Sequence, residues 1–313
     1  MSRKSLPVSL RHVATPLMRA LPVLILAFAA TAATGAERVL DKTFTVKPGG
    51  VINVSADGAA ITVMGNDSSQ VVLHMIAKGS QKDLDDMKFA ASQDGDSVNI
   101  EMKREKQVGW FNWGSWDSES RIEVTAPRSF RVEAKTSGGG VRLENLSGPS
   151  HLRTSGGGIT VRNVKGDIEG HTSGGGIRLD SVEGAVEMHT SGGGVSATGV
   201  KGDIDVSTSG GDVHLVGIDG RIRASTSGGG VSAELVGANR GISASTSGGG
   251  IRLTMPKGTA GLIDAATSGG SISTDFPVTT TKFSDHRLSG AINGGGETIY
   301  ARTSGGGISL TAR

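Results

Sequence analysis

Thr136-Ser137-Gly138-Gly139-Gly140 reads TSGGG, five residues with neither charge nor bulk, and the chain repeats them. The same five return from Thr154, Thr172, Thr190, Thr226, Thr246 and Thr303, with near-copies TSGGD from Thr208 and TSGGS from Thr267. From Thr136 to Thr226 the threonines recur every eighteen residues. That period is too short for a propeller blade or a helix-pair repeat and suits one coil of a β-solenoid.

With the threonine as position zero, the columns alternate. Position five holds Val141, Ile159, Ile177, Val195, Val213 and Val231, and position seven holds Leu143, Val161, Leu179, Ala197, Leu215 and Ala233. Position ten is aliphatic again, position twelve is Gly148, Gly166, Gly184, Gly202 and Gly220, and positions fourteen and sixteen give pairs such as Val186 and Met188. Apolar residues in steps of two, interrupted by glycine, read as strand, glycine corner, strand, TSGGG corner. The corner glycines supply positive φ or close backbone approach, and the threonine points inward, placed to pass hydrogen bonds along the axis. The expected fold is all-β: a single-stranded parallel β-helix or β-solenoid of 18-residue coils, right-handed by the crossover rule.

Position eleven supports the register. It reads Ser147, Lys165, Glu183, Lys201, Asp219, so opposite charges fall on adjacent coils if equivalent positions stack. A phosphate-loop reading of TSGGG fails, because no Lys-Ser/Thr pair ends it and no G-x-G-x-x-G opens a helix. Calcium-binding nonapeptides need a regular Asp after the glycines, and Asp212 alone stands near such a place.

The N-terminus reads differently. Arg3, Lys4, Arg11 and Arg19 precede an apolar run containing LPVLILAFAA, followed by small residues to Ala36. This is the pattern of a secretory signal peptide, residues 1–36, cleaved before Glu37, and too short for a membrane anchor. The segment carries four of the 32 Lys+Arg and none of the 30 Asp+Glu, so the mature chain has a net charge of −2. That balance argues against nucleic acid as a partner. Cysteine is absent, which removes disulfides and thiol chemistry. No later run is long and apolar enough for a transmembrane helix. The expected location is the periplasm or cell envelope, with the cell surface or the medium as alternatives.

The sequence divides the mature chain into an irregular N-terminal part of the solenoid, residues 37–117, and the regular TSGGG part, residues 118–313. VINVSA, AAITVM, QVVLHMIA and SVNIEMKR read as strands, KDLDDM as a helical turn, and SQDGDS as a hairpin turn. The gap from Thr267 to Thr303 is twice the unit, with residues 288–296 (LSGAINGGG) reading as a degraded coil.

The stretches FTVKPGGVINVSADGAAITVMGNDSSQVVLHMIAKG and IEVTAPRSFRVEAKTSGGGVRLENLSG, followed by glycine-cornered coils, resemble the bacterial putative-adhesin family. The likeness covers residues 40–313. It implies an exported β-solenoid with an adhesive role, and it brings no catalytic motif.

Three features remain as candidate sites. Trp110, Phe111, Trp113 and Trp116 crowd one polar loop, VGWFNWGSWDSES. They read either as a cap over the open end of the core or as a platform for a sugar or protein partner. His171 and His189 share position seventeen on adjacent coils and suggest part of a metal site, although Arg153 and Ser207 continue the column and a solvated surface is the better reading. Glu169, Glu187 and Asp205 stack at position fifteen, flanked by His151 and Arg223, as an exposed acidic stripe. No cofactor, metal site or catalytic residue is expected. The function expected is a structural or adhesin-like binding protein of the envelope, not an enzyme, with an envelope protein or polysaccharide as partner. The alternative is a glycan-binding or glycan-cleaving protein using the Trp loop and the acidic stripe.

Overall fold

The computed structural model describes residues 36–105 and 120–313. The expected leader therefore falls almost wholly outside the described residues.

The described chain is all-β apart from one short helix, Gln81–Asp85. Its strands form two long sheets, parallel through the repeats. Residues eighteen apart oppose each other: Ile159 pairs with Ile177 and Ile177 with Val195 in the first sheet, and Ile168 with Val186 and Val186 with Ile204 in the second. Positions five, seven and ten of the first sheet and fourteen and sixteen of the second meet in one buried core. Gly170 belongs to this core for a packing reason: a Cβ there would lie 2.3 Å from Met188 Sδ in the next coil.

The TSGGG glycines are needed for proximity. None of them has a positive φ. Cβ atoms built on Gly157, Gly175 and Gly193, the central glycines, would stand 2.3, 2.2 and 2.4 Å from the carbonyl oxygen of the equivalent glycine one coil earlier. Three of the position-twelve glycines meet both conditions, with φ of 139° at Gly166, 149° at Gly184 and 145° at Gly202, while Gly148 and Gly220 meet only that of close approach. A further corner escapes the glycine pattern. Position nine is left-handed at Asn145, Asn163, Ser181, Gly199 and Gly217, a conformation that Asn tolerates better than most side chains.

The threonines are buried. From Thr154 to Thr246 each hydroxyl donates to the central glycine carbonyl of the preceding coil, as Thr154 does to Gly139 (2.7 Å), Thr172 to Gly157 (2.6 Å) and Thr190 to Gly175 (2.7 Å). Several also accept from the N–H at position three of their own corner, as Thr154 does from Gly157 (3.3 Å).

The ends depart from sequential stacking. Strands Val51–Ala56 and Ala60–Asn66 lie between the coil Arg131–Thr136/Val141–Glu144 and the later strands Ser97–Arg104 and Arg121–Pro127. At the other end, Thr298–Thr303 and Ile308–Ala312 lie between the coils of Thr246 and Thr267. The expectation of a degraded coil at residues 288–296 is corrected here. Strand Arg287–Ile292 runs antiparallel to Gly261–Thr267 on one side and to Val278–Ser284 on the other.

Thr172→Val keeps the shape of the side chain but strands the Gly157 carbonyl, and should cost about 1–3 kcal/mol. Gly175→Ala, which drives a Cβ into backbone, should cost more. Gly258→Ala, with nothing within 4 Å of its Cβ, should be near neutral. Thermal unfolding midpoints of the three variants check the order.

Candidate functional site

Trp110, Phe111, Trp113 and Trp116 lie outside the described residues, but the place where their loop is attached is defined. Met102 pairs with Ala56, which pairs with Thr136, and Arg121 pairs with Ala60. The described strands on either side of the loop, Ser97–Arg104 and Arg121–Pro127, therefore end and begin beside the row of TSGGG corners.

Described residues already close the N-terminal end. The outermost strands of the two sheets, Ala36–Thr45 and Met87–Asp94, are tied across it. Arg38 donates to the Leu84 carbonyl (3.2 Å) and to that of Met87, Lys42 Nζ donates to Ala91 (2.9 Å), and Gln93 Nε2 donates to Thr45 (2.8 Å). The Arg38 guanidinium also lies over the Phe89 ring, 5.0 Å from its centroid. Leu84 is buried beneath, on the helix capped by Ser80.

The acidic stripe is stacked as its spacing requires, Glu169 opposite Glu187 and Glu187 opposite Asp205. Each carboxylate has a basic neighbour: His151 at 3.3 Å and Arg153 at 3.7 Å from Glu169, His189 at 3.2 Å from Glu187, and Arg223 at 3.9 Å from Asp205. The rings of His171 and His189 are neighbours, centroids 5.5 Å apart. His189 Nδ1 is taken by Ser207 Oγ at 2.6 Å. Among the described residues no three His, Cys, Asp or Glu side chains gather as metal ligands.

The position-eleven ladder forms as the alternation demands. Glu183 lies 3.2 Å from Lys165 and 3.5 Å from Lys201, and the Lys165 hydrogen bond, with both ammonium charges, holds its carboxyl below the usual range. Near the far end, Asp264 accepts from Arg302 at 2.7 Å. That bond and the charges of Arg302 and Arg287 hold its carboxyl down against partial burial.

A groove missed in the sequence runs along the first sheet beside the TSGGG corners. Arg142, Arg162, Arg178, His214 and Arg252 line it, and Asp212 is the single acid lining it among the described residues. Four of the five sit at position six, whose column alternates a basic side chain with a small hydroxyl: Arg142, Thr160, Arg178, Ser196, His214, Ser232, Arg252. The alternation is legible in the sequence once position six is read as a column.

A parallel two-sheet solenoid with glycine-clasped corners is the class that this fold defines. The chain belongs to the Toastrack DUF4097 family, whose model matches residues 51–311. Similar solved structures include one described as a "putative adhesin" from Parabacteroides merdae, 11% identical, covering 87% of this chain and 96% of that one with a TM-score of 0.44. Another "putative adhesin", from Bacteroides fragilis, is 11% identical over 87% of this chain and 97% of that one, TM-score 0.41. A "putative lipid binding protein" from Parabacteroides distasonis is 10% identical over 87% and 96%, TM-score 0.43. No curated protein matches the sequence. No helix among the described residues is long and apolar enough to cross a membrane.

The lowered carboxyl of Asp264 sets a pH dependence. Its folded pKa lies below its unfolded one, so its contribution is present above the unfolded carboxylate range and is lost as pH falls through the folded value. Asp264→Asn should lower stability at pH 7 and flatten its loss on acidification. Urea midpoints of the two proteins from pH 7 to pH 3 check both.

Proposed function

We propose that this chain is an exported, non-catalytic, adhesin-like rod of the bacterial envelope, which binds an envelope protein or polysaccharide through its lateral surface and the Trp loop. The observation that carries the reading is the closed N-terminal end. Arg38, Lys42 and Gln93 stitch the two sheets together over Leu84 and Phe89, so the core there has a cover without the tryptophans. Aromatics that a fold does not need as a cap are available for a partner.

The non-catalytic part is supported by the carboxylates. Asp67, Glu183 and Asp264 are all held down by ion pairs, whereas a general acid working near neutral pH needs its carboxyl pushed up. In the acidic stripe each carboxylate has a nearby base, a poor arrangement for protonating a glycosidic oxygen. The leader-like residues 1–36 support export.

All three tryptophans report on one loop. In the purified mature protein their emission should be red-shifted and freely quenched by acrylamide. Blue-shifted, protected emission would make the loop a cap. A photo-crosslinker at Trp113 should then recover one defined envelope component from intact cells, and failure to recover any would sink the binding reading.

A further inference from the structure

The groove beside the corners holds two rows of anion-binding groups. The first is backbone. At position four the N–H groups of Gly158, Gly176, Gly194 and Gly250 have no hydrogen-bond partner among the described residues. Gly158, Gly176 and Gly194 lie on successive coils at the strand spacing of about 4.8 Å, and Gly250 lies three coils further on. The second is the position-six column, with a basic side chain on every other coil from Arg142 to Arg252, a repeat of about 9.6 Å over a length of about 29 Å. Arg178 and Arg252 have no ion-pair or hydrogen-bond partner among the described residues.

One residue shows what this row of amides accepts. Asp212 is the departure from glycine at position four within the 18-residue repeats, and its exposed carboxylate takes the N–H of Gly230 at 2.7 Å. The protein thus places one carboxylate of its own on the row and leaves neighbouring amides open.

A bland account would say that the alternation merely keeps like charges apart. The protein solves that problem differently at position eleven, where Lys165, Glu183 and Lys201 neutralise one another. At position six the intervening residues are hydroxyls, and although Arg142 is paired with Glu144 at 3.1 Å, Arg178 and Arg252 are left without a partner among the described residues. Self-association through the acidic stripe of a second copy is disfavoured, because Arg153 and Arg223 of the same chain already face Glu169 and Asp205.

We propose that this groove is a binding track for an extended acidic polysaccharide with a carboxylate on every second sugar, its carboxylates meeting the position-six arginines and the position-four amides. A β-linked pyranose advances a chain by about one strand spacing, so alternate sugars fall in step with alternate coils. A nucleic-acid backbone carries its charges far more densely, roughly one per 3.4 Å of each strand in a duplex. The inference rests on the binding-rod reading and names the ligand class for one face of it.

The test uses the mature chain, residues 37–313, and a fluorescent hyaluronan decasaccharide, which is β-linked with one carboxylate per disaccharide. Wild type should bind it, more weakly as salt rises. The Arg178→Ala/Arg252→Ala double variant should bind at least tenfold more weakly. Gly176→Asp, which copies Asp212 onto the Gly194 amide, should also weaken binding. Asp212→Gly, which frees the Gly230 amide and removes a negative charge, should bind at least threefold more tightly, a gain that a purely structural role would not produce. Unchanged thermal midpoints establish that each variant folds. Absence of binding, equal binding of the carboxyl-reduced decasaccharide or of polyphosphate, or no gain in Asp212→Gly would overturn the proposal. So would a change in self-association in place of glycan affinity. If binding fails while the Trp113 crosslink still recovers its envelope component, the track falls and the binding-rod reading stands.

Discussion

Everything in this molecule depends on how closely the coil backbones approach at the TSGGG corner. Adjacent coils are held at strand spacing, about 4.8 Å, and at the central glycine of the corner there is no room for a Cβ between them. Glycine is imposed by the neighbouring coil rather than by the local dihedrals. The threonine is imposed by the same proximity. In the ladder the N–H at position two donates to the carbonyl at position one of the coil before, as Gly156 does to Ser137 at 3.1 Å. Continued one step, the N–H at position four would take the carbonyl at position three. The threonine hydroxyl takes that carbonyl instead. Clasping the corner and releasing the amide are one event, so the open row of N–H groups follows from how the solenoid is held.

The two lateral faces then differ in how charge is handled. On the second sheet the acidic column has basic neighbours, and at position eleven adjacent coils neutralise each other. These pairs are exposed and each contributes little to stability. Their consequence is a surface with little unmet charge. Against that background the unpaired Arg178 and Arg252 at position six, and the unbonded amides beside them, are groups that an external anion would satisfy.

Much of the fold was legible because its constraints repeat. Val141, Ile159, Ile177 and Val195 announce a buried column by recurring, and Glu183 between two lysines announces the stacking register. The left-handed position nine was hidden because Asn145, Asn163, Ser181 and Gly199 share a tolerance of backbone rather than a side-chain type. The order of the end coils was hidden for a different reason. Ile299 and Ile308 carry the same pattern as any other coil, and pattern alone does not say which neighbours a coil takes. Residues 288–296 kept the glycines of the repeat, yet pair antiparallel. At the candidate sites, the chemistry of the Trp loop was visible as composition. The groove was not, since its amides belong to backbone that no letter of the sequence marks.

The out-of-order ends bear on where a partner can bind. A parallel solenoid ends in open sheet edges, which invite strand addition and uncontrolled growth. Here the second-to-last coil at each end is supplied from elsewhere in the chain, and antiparallel strands are laid outside it in the second sheet. The outermost strands are also poor templates. Ala36–Thr45 carries Glu37, Arg38, Asp41 and Lys42, and the first sheet ends at the other side in the three-residue strand Ile272–Thr274. With both edges of the first sheet blunted, its extension by a partner strand is disfavoured. Recognition is then directed to the flanks, where identical groups recur at strand spacing and a ligand with a matching period gains from every coil that it crosses.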